Sequence, residues 1–181
     1  MKTKPALLLI DVINDFDFPK GHRLLRHALP AARRIVRLKS RARAAGVPVV
    51  YVNDNFGRWR SDFRHQVTHC LRPDCLGREL VRLLSPDDAD FFVLKPKHSG
   101  FYSTTLDLLL KSLRIDTLVL TGFATDICVL YTANDAYMRD YRIVVAADGV
   151  AAEQASWNRS ALAQMQRLGA DVRASASIRF G

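Results

Sequence analysis

The sequence is poor in cysteine, with only Cys70, Cys75 and Cys128 among 181 residues. An odd number at irregular spacing suggests neither a disulfide framework nor a four-ligand zinc site. A reducing cytoplasm is the expected compartment. Long apolar runs are missing as well, and none approaches the ~20 residues that a membrane helix needs. The opening "MKTKPALLLIDVINDF" joins a charged start to a short apolar run. That run ends in Asp11 without a small-residue cleavage pattern, so no signal peptide is expected. There is no Gly-x-Gly-x-x-Gly or Walker sequence, no internal repeat and no low-complexity tract. Acidic residues are outnumbered, 18 against 27 Lys and Arg, for a net charge of +9. A basic balance can signal a nucleic-acid or membrane partner. Here much of the excess lies in "HRLLRHALPAARRIVRLKSRARAAG", where Ala32, Ile35, Leu38 and Ala42 fall at helical spacing. This reads as a helix with a solvated arginine face. No basic strand interleaved with aromatics occurs, so neither nucleic acid nor membrane is expected as a partner.

What is present is an alternation of apolar β-branched runs with helical patterns. Strands are expected at 6–11, 47–54, 90–95, 116–122 and 141–148, with an edge strand at 170–175. Helices are expected at 30–46, with Pro30 near the first turn, and at 76–84, 103–113 and 156–169. Ser103 or Thr104 would cap the third of these, and another helix follows the fourth strand within 122–140. Continuous apolar strands separated by helices predict a three-layer α/β/α fold with a doubly wound, mainly parallel sheet of about six strands. The whole chain, 1–181, reads as one domain. The segment 53–75 is the least regular, and a loop of that size is often functional.

In open α/β sheets ligands bind outside the carboxyl ends of the strands. Three reactive side chains fall at such ends: Asp11 after "LLLI", Lys95 closing "FFVLK", and Cys128 at the start of the helix after strand four. Taken singly, a carboxylate cap, a solvated lysine and an inert core thiol are ordinary. Together they make a nucleophile, a cation and a base. A helix N-terminus, capped by Thr125 or Asp126, and the Lys95 ammonium would both lower the thiol pKa. Asp11 would take the thiol proton and return it to a leaving group. Backbone amides in the turn before Cys128 would form an oxyanion hole.

The segments "LLLIDVINDF", "VLKPKHSGFYSTTL", "LVLTGFATDICVLYTANDAYMRDY" and "VVAADGVAA" span nearly the whole chain. In that order they resemble the isochorismatase-like cysteine hydrolases, which include nicotinamidases, N-carbamoylsarcosine amidases and ureidoacrylate amidases. The resemblance implies a doubly wound parallel sheet and a catalytic triad of Asp11, Lys95 and Cys128. It also implies a cis peptide between Phe123 and Ala124, with the amides of Ala124 and Cys128 facing the oxyanion. Cys128 would attack a carbonyl-like carbon to give a thioester, which water then hydrolyses. A homo-oligomer, a dimer or larger, is implied as well.

Two departures from the family pattern narrow the reading. Metal-binding nicotinamidases carry an Asp-x-His pair after the second strand, where this chain reads "VNDNFGRW" with Asn55 and Phe56. No metal and no cofactor are therefore expected, although His65 and His69 share a helical face at a spacing that can bind metal. Vinyl-ether hydrolases of the family can lack the cysteine, so Cys128 favours cleavage of a C–N bond in a small amide, ureido or carbamoyl substrate. Vinyl-ether hydrolysis is the alternative, followed by a non-enzymatic domain that binds nucleotide or nucleic acid. Phe16, Trp59, Phe101 and Tyr102 are candidate pocket walls, with Asn53 and Asn14 as polar anchors. Arg58, Arg60 and Arg64 suggest an anionic substrate. A haloacid-dehalogenase-like phosphatase would need a second acid where Ile13 stands, and its threonine before the lysine, whereas Thr121 follows Lys95.

Overall fold

Burial on both faces of the first strand organises the architecture. The computed structural model describes residues 3–56 and 62–180. In β1 (Pro5–Ile10), Leu7 and Leu9 enter one apolar cluster while Ala6, Leu8 and Ile10 enter another on the opposite face. Successive side chains of a strand point to opposite faces, so a strand covered on both sides reads as a continuous apolar run. β1 pairs with β2 (Val49–Asp54) on one side and β4 (Thr117–Phe123) on the other. β3 (Phe91–Lys95) lies outside β2, and β5 (Arg142–Ala151) and β6 (Asp171–Arg173) lie beyond β4. The order is β3-β2-β1-β4-β5-β6 and every pairing is parallel. This is the expected three-layer, doubly wound fold.

On one face lie α1 (Gly21–Ala44), α2 (Phe63–Cys70) and α3 (Arg78–Leu83), and on the other α4 (Leu106–Ser112), α5 (Leu130–Tyr137) and α6 (Ala155–Arg167). α1 buries Ala32, Ile35, Leu38 and Ala42, as their spacing predicts, and its arginines 23, 26, 33, 34 and 37 face solvent. It begins nine residues before Pro30, however, so that proline sits inside the helix on its exposed side. α2 occupies part of the segment expected to be irregular. Its start is set by Asp62, whose Oδ1 accepts the His65 amide at 2.6 Å. Only Phe63, Val67 and Cys70 of its residues are apolar, too few to register as a helical stripe. α4 starts later than expected, with Ser103 outside it at φ +51° and the Thr104 hydroxyl accepting the Leu106 amide at 3.2 Å.

The strand order reverses between β1 and β4, which makes their carboxyl ends the topological switch point. Gly122 permits the close approach there. Its φ is +116°, and a Cβ on it would lie 2.0 Å from the Ile10 carbonyl oxygen. Gly122→Ala should destabilise the fold by at least about 2 kcal/mol, from left-handed strain together with the clash. Urea unfolding of the two proteins measures this; equal midpoints would show that β1 and β4 can separate freely.

Candidate active site

Lys95 is the centre of a buried cluster built from four segments. Its ammonium lies 2.9 Å from Asp11 Oδ2, at the end of β1, and 3.5 Å from Cys128 Sγ, after β4. β2 runs between β1 and β3, and its last residue, Asp54, is the register partner of Lys95. Asp54 Oδ2 is 3.4 Å from the ammonium, and the Lys97 carbonyl accepts from it at 3.2 Å. Lys95 is fully buried. A buried charge is tolerated only when paired and hydrogen-bonded, and these partners supply that.

Asp11 is held in an uncommon backbone conformation, with φ +52°. Its amide donates to the Val52 carbonyl at 2.9 Å, and its Oδ1 accepts the Asp54 amide at 2.7 Å. Asn53, expected as a pocket anchor, is fully buried and braces this turn instead. Its Oδ1 accepts the Ile13 amide at 3.0 Å and its Nδ2 donates to the Ile13 carbonyl at 2.8 Å. The segment after β1 is thus fastened to β2, and the left-handed residue is over-determined by its surroundings.

Cys128 lies in a π turn, Thr125–Val129, which leads into α5. The Val129 amide donates to the Ala124 carbonyl five residues back, at 3.2 Å. Such wide turns concentrate at functional sites. The expected caps are not used: Ala124 precedes the turn in an extended conformation, and the Thr125 hydroxyl pairs with Asn158 of α6. There is no cis peptide among the described residues, so the Phe123–Ala124 bond is trans, contrary to expectation. Thr132 links two loops. It donates to the Cys128 carbonyl at 2.7 Å and accepts the Gly100 amide at 2.9 Å, which ties the segment after β3 to the turn that carries the thiol.

The electrostatics depart from the expected lowering of the thiol pKa. Burial opposes the Lys95 charge, but the carboxylates of Asp11 and then Asp54 outweigh it and hold the lysine pKa above its ordinary value. Burial raises the Asp11 carboxyl pKa, and Lys95 with its hydrogen-bond partners offsets only part of that. Burial and then the Asp11 charge raise the Cys128 pKa, against a smaller lowering by Lys95. Burial and the Asp11 charge thus favour the protonated sulfur, beside a carboxyl of enhanced basicity, and the lowering by Lys95 expected from the sequence is present but outweighed.

Two of the aromatic residues expected as pocket walls, Phe16 and Phe101, are taken up in the core. Phe16 is buried in the cluster under α1, and Phe101 in the opposite cluster, with Tyr141 and the Arg139 guanidinium against its ring. Both rings are absorbed by packing. Tyr102 stands out in solvent, and Trp59 lies outside the described residues, as do Arg58 and Arg60. His65 and His69 do share a helix, but His69 pairs with Asp15 at 3.3 Å. Among the described residues no three His, Cys, Asp or Glu side chains are grouped to hold a metal ion. Asp54 and Thr132 were not singled out from the sequence. Asp54 had a signal, being a carboxylate at a strand's carboxyl end, like Asp11.

Comparison with known proteins agrees with this architecture. The model described as Isochorismatase domain matches residues 5–177. The uncharacterized isochorismatase family protein YaaI of Bacillus subtilis is 38% identical over 92% of this chain and 91% of its own length. A ureidoacrylate amidohydrolase, RutB, of Methylobacterium radiotolerans is 32% identical over 88% of this chain and 72% of its own length. The crystal structure of N-carbamoylsarcosine amidase from Thermoplasma acidophilum superposes with a TM-score of 0.75 at 35% identity, covering 99% of each chain. With a parallel sheet in this strand order, and carboxylate, ammonium and thiol gathered at its switch point, the chain belongs to the isochorismatase family of hydrolases.

Proposed function

We propose that the protein cleaves the C–N bond of a small amide, ureido or carbamoyl compound through a thioester on Cys128. The observation that carries the reading is Lys95 lying within 2.9 Å of the Asp11 carboxylate and 3.5 Å of the Cys128 sulfur. The similar amidohydrolase and amidase named above support the bond type. Asp11 accepts the thiol proton as sulfur attacks the carbonyl carbon, so the buried neutral thiol becomes a nucleophile only as the bond forms. The amide of Cys128, in the π turn, receives the developing oxyanion; the Ala124 amide expected beside it depended on a cis bond that is trans here. Collapse breaks the C–N bond, and Asp11 delivers its proton to the leaving nitrogen. Water then attacks the thioester, Asp11 takes the water proton, and that proton returns to sulfur as the acid departs. Lys95 stays charged throughout and holds the carboxylate and sulfur in mutual reach.

A screen of small amides, ureido compounds and isochorismate tests this. Ammonia or amine release by wild type and not by Cys128→Ala, with an acyl adduct on Cys128 in quenched samples, is the expected result. Turnover of isochorismate alone would replace C–N cleavage by vinyl-ether hydrolysis, and an equally active Cys128→Ala would remove the nucleophile.

The opposed influences on the thiol give a second prediction. Lys95 lowers the Cys128 pKa, so Lys95→Gln should displace the rate–pH curve of Cys128 alkylation upward. Asp11 raises it, so Asp11→Asn should displace the curve downward, each by about one pH unit or more. Iodoacetamide labelling mapped by mass spectrometry measures both. Shifts in the same direction, or none, would reject the assigned roles.

The proposal includes a homo-oligomer packed through α5, where Tyr131, Tyr137 and Met138 are all more than half exposed. Light scattering should show a dimer or larger that Tyr137→Asp with Met138→Asp dissociates. A monomeric wild type would reject it.

A further inference from the structure

A cavity of about 310 Å³ opens beside the loops that follow β1 and β2. Asp15, Asp17, Phe18, Phe56, Gln66 and His69 line it. Three features are unexplained by packing. Gln66 is 4% exposed, and its Oε1 is buried without a hydrogen-bond partner. Its Nε2 donates to the Asp54 carbonyl at 3.0 Å, which fixes the amide's orientation, because a flip would set acceptor against acceptor. A buried acceptor left unpaired is costly and calls for a donor. Phe56, a bulky residue, adopts φ +52°, and its ring and that of Phe18 are 38% and 39% exposed rather than withdrawn into the core. Two carboxylates, Asp15 and Asp17, face the same space. Arg64 of α2 lines a different groove with Asp87 and Asp88, whereas the imidazole of His69 meets Asp15 at 3.3 Å and His65 also lines the cavity, which leaves Asp17 without an ion-pair partner among the described residues.

Acceptors, negative charge and aromatic faces together specify a ligand group. We propose that this cavity is a subsite for an organic cation bearing N–H donors, an alkylammonium or alkylguanidinium group carried by the substrate remote from its scissile bond. One N–H goes to the Gln66 oxygen, Asp15 and Asp17 balance the charge, and the Phe18 and Phe56 rings offer π faces. Asp54 couples the subsite to the reacting groups, because its carbonyl holds Gln66 while its carboxylate meets Lys95. Only the word substrate rests on the hydrolase reading; the preference for a cation does not. It reverses the anionic substrate suggested by the arginine-rich sequence.

The test is isothermal titration of the full chain carrying Cys128→Ala with n-butylguanidinium, n-butylammonium, neutral n-butylurea and pentanoate. At least one cation should bind about tenfold or more tightly than the urea and the acid. Gln66→Met and Asp15→Asn should each weaken that cation about tenfold, the effect of one hydrogen bond to a charged group. Asp15→Asn keeps the Oδ1 that accepts the Asp17 amide at 3.0 Å, so the turn survives even if Gln66→Met unfolds. Equal affinity for all four probes, tighter binding of pentanoate, or an unchanged Asp15→Asn would overturn the proposal. So would displacement of the cation by micromolar Zn²⁺, which would make the site a metal centre. No bond is cleaved in the titration, so a failed amide screen leaves its result intact.

Discussion

The buried ammonium of Lys95 is the constraint on which the rest of the structure turns. Removing a charge from water is expensive, and the expense is met here only if the ends of β1, β2 and β4 are brought to it. Asp11, Asp54 and Cys128 each come from a different strand end, so the ion cluster and the strand order require one another. The strand that carries Lys95 is held at its other end by a second buried lysine. Lys39 of α1 lies 2.6 Å from the Tyr51 hydroxyl and 2.9 Å from Asp90, the residue just before β3. Burial lowers the Lys39 pKa and its single carboxylate restores part of it, whereas around Lys95 two carboxylates outweigh burial. An edge strand that would otherwise be loosely attached is thus fixed at both ends.

That arrangement favours the protonated form of the thiol. Had the cation stood alone beside the sulfur, a permanent thiolate would follow. Burial first and then the Asp11 charge raise the Cys128 pKa, and the Lys95 charge offsets only part of that. A protonated sulfur is also less open to oxidation and alkylation than a thiolate would be.

Much of the fold was legible because apolar run length and helical spacing report burial directly. β1 and β4 read as strands since nothing in "ALLLI" or "TLVLT" can face water, and α1 showed its buried face in Ala32, Ile35, Leu38 and Ala42. The three reactive residues were legible by position, each at a strand's carboxyl end. What was not legible depends on contacts between distant segments. Phe16 and Phe101 look alike as aromatic candidates, and only the structure assigns them to opposite clusters. The sign of the Cys128 shift required knowing that Asp11 and burial act together. α2 was hidden because its stability comes from the Asp62 cap and from packing of Phe63 on Tyr51 and Phe92, which no local pattern reveals.

The left-handed backbone at Asp11 narrows the routes by which this lineage can drift. Among ordinary residues, aspartate and asparagine enter that region with least penalty, and glycine enters freely. Glutamate, the usual exchange for aspartate elsewhere, would bring the same charge on a chain that resists the conformation and overshoots Lys95. Every substitution that keeps the turn comfortable discards the carboxylate that meets Lys95, and the one that keeps a carboxylate strains the turn. Descendants that lose this carboxylate are therefore expected to retain the shape of the turn while leaving the buried ammonium short of a counter-charge.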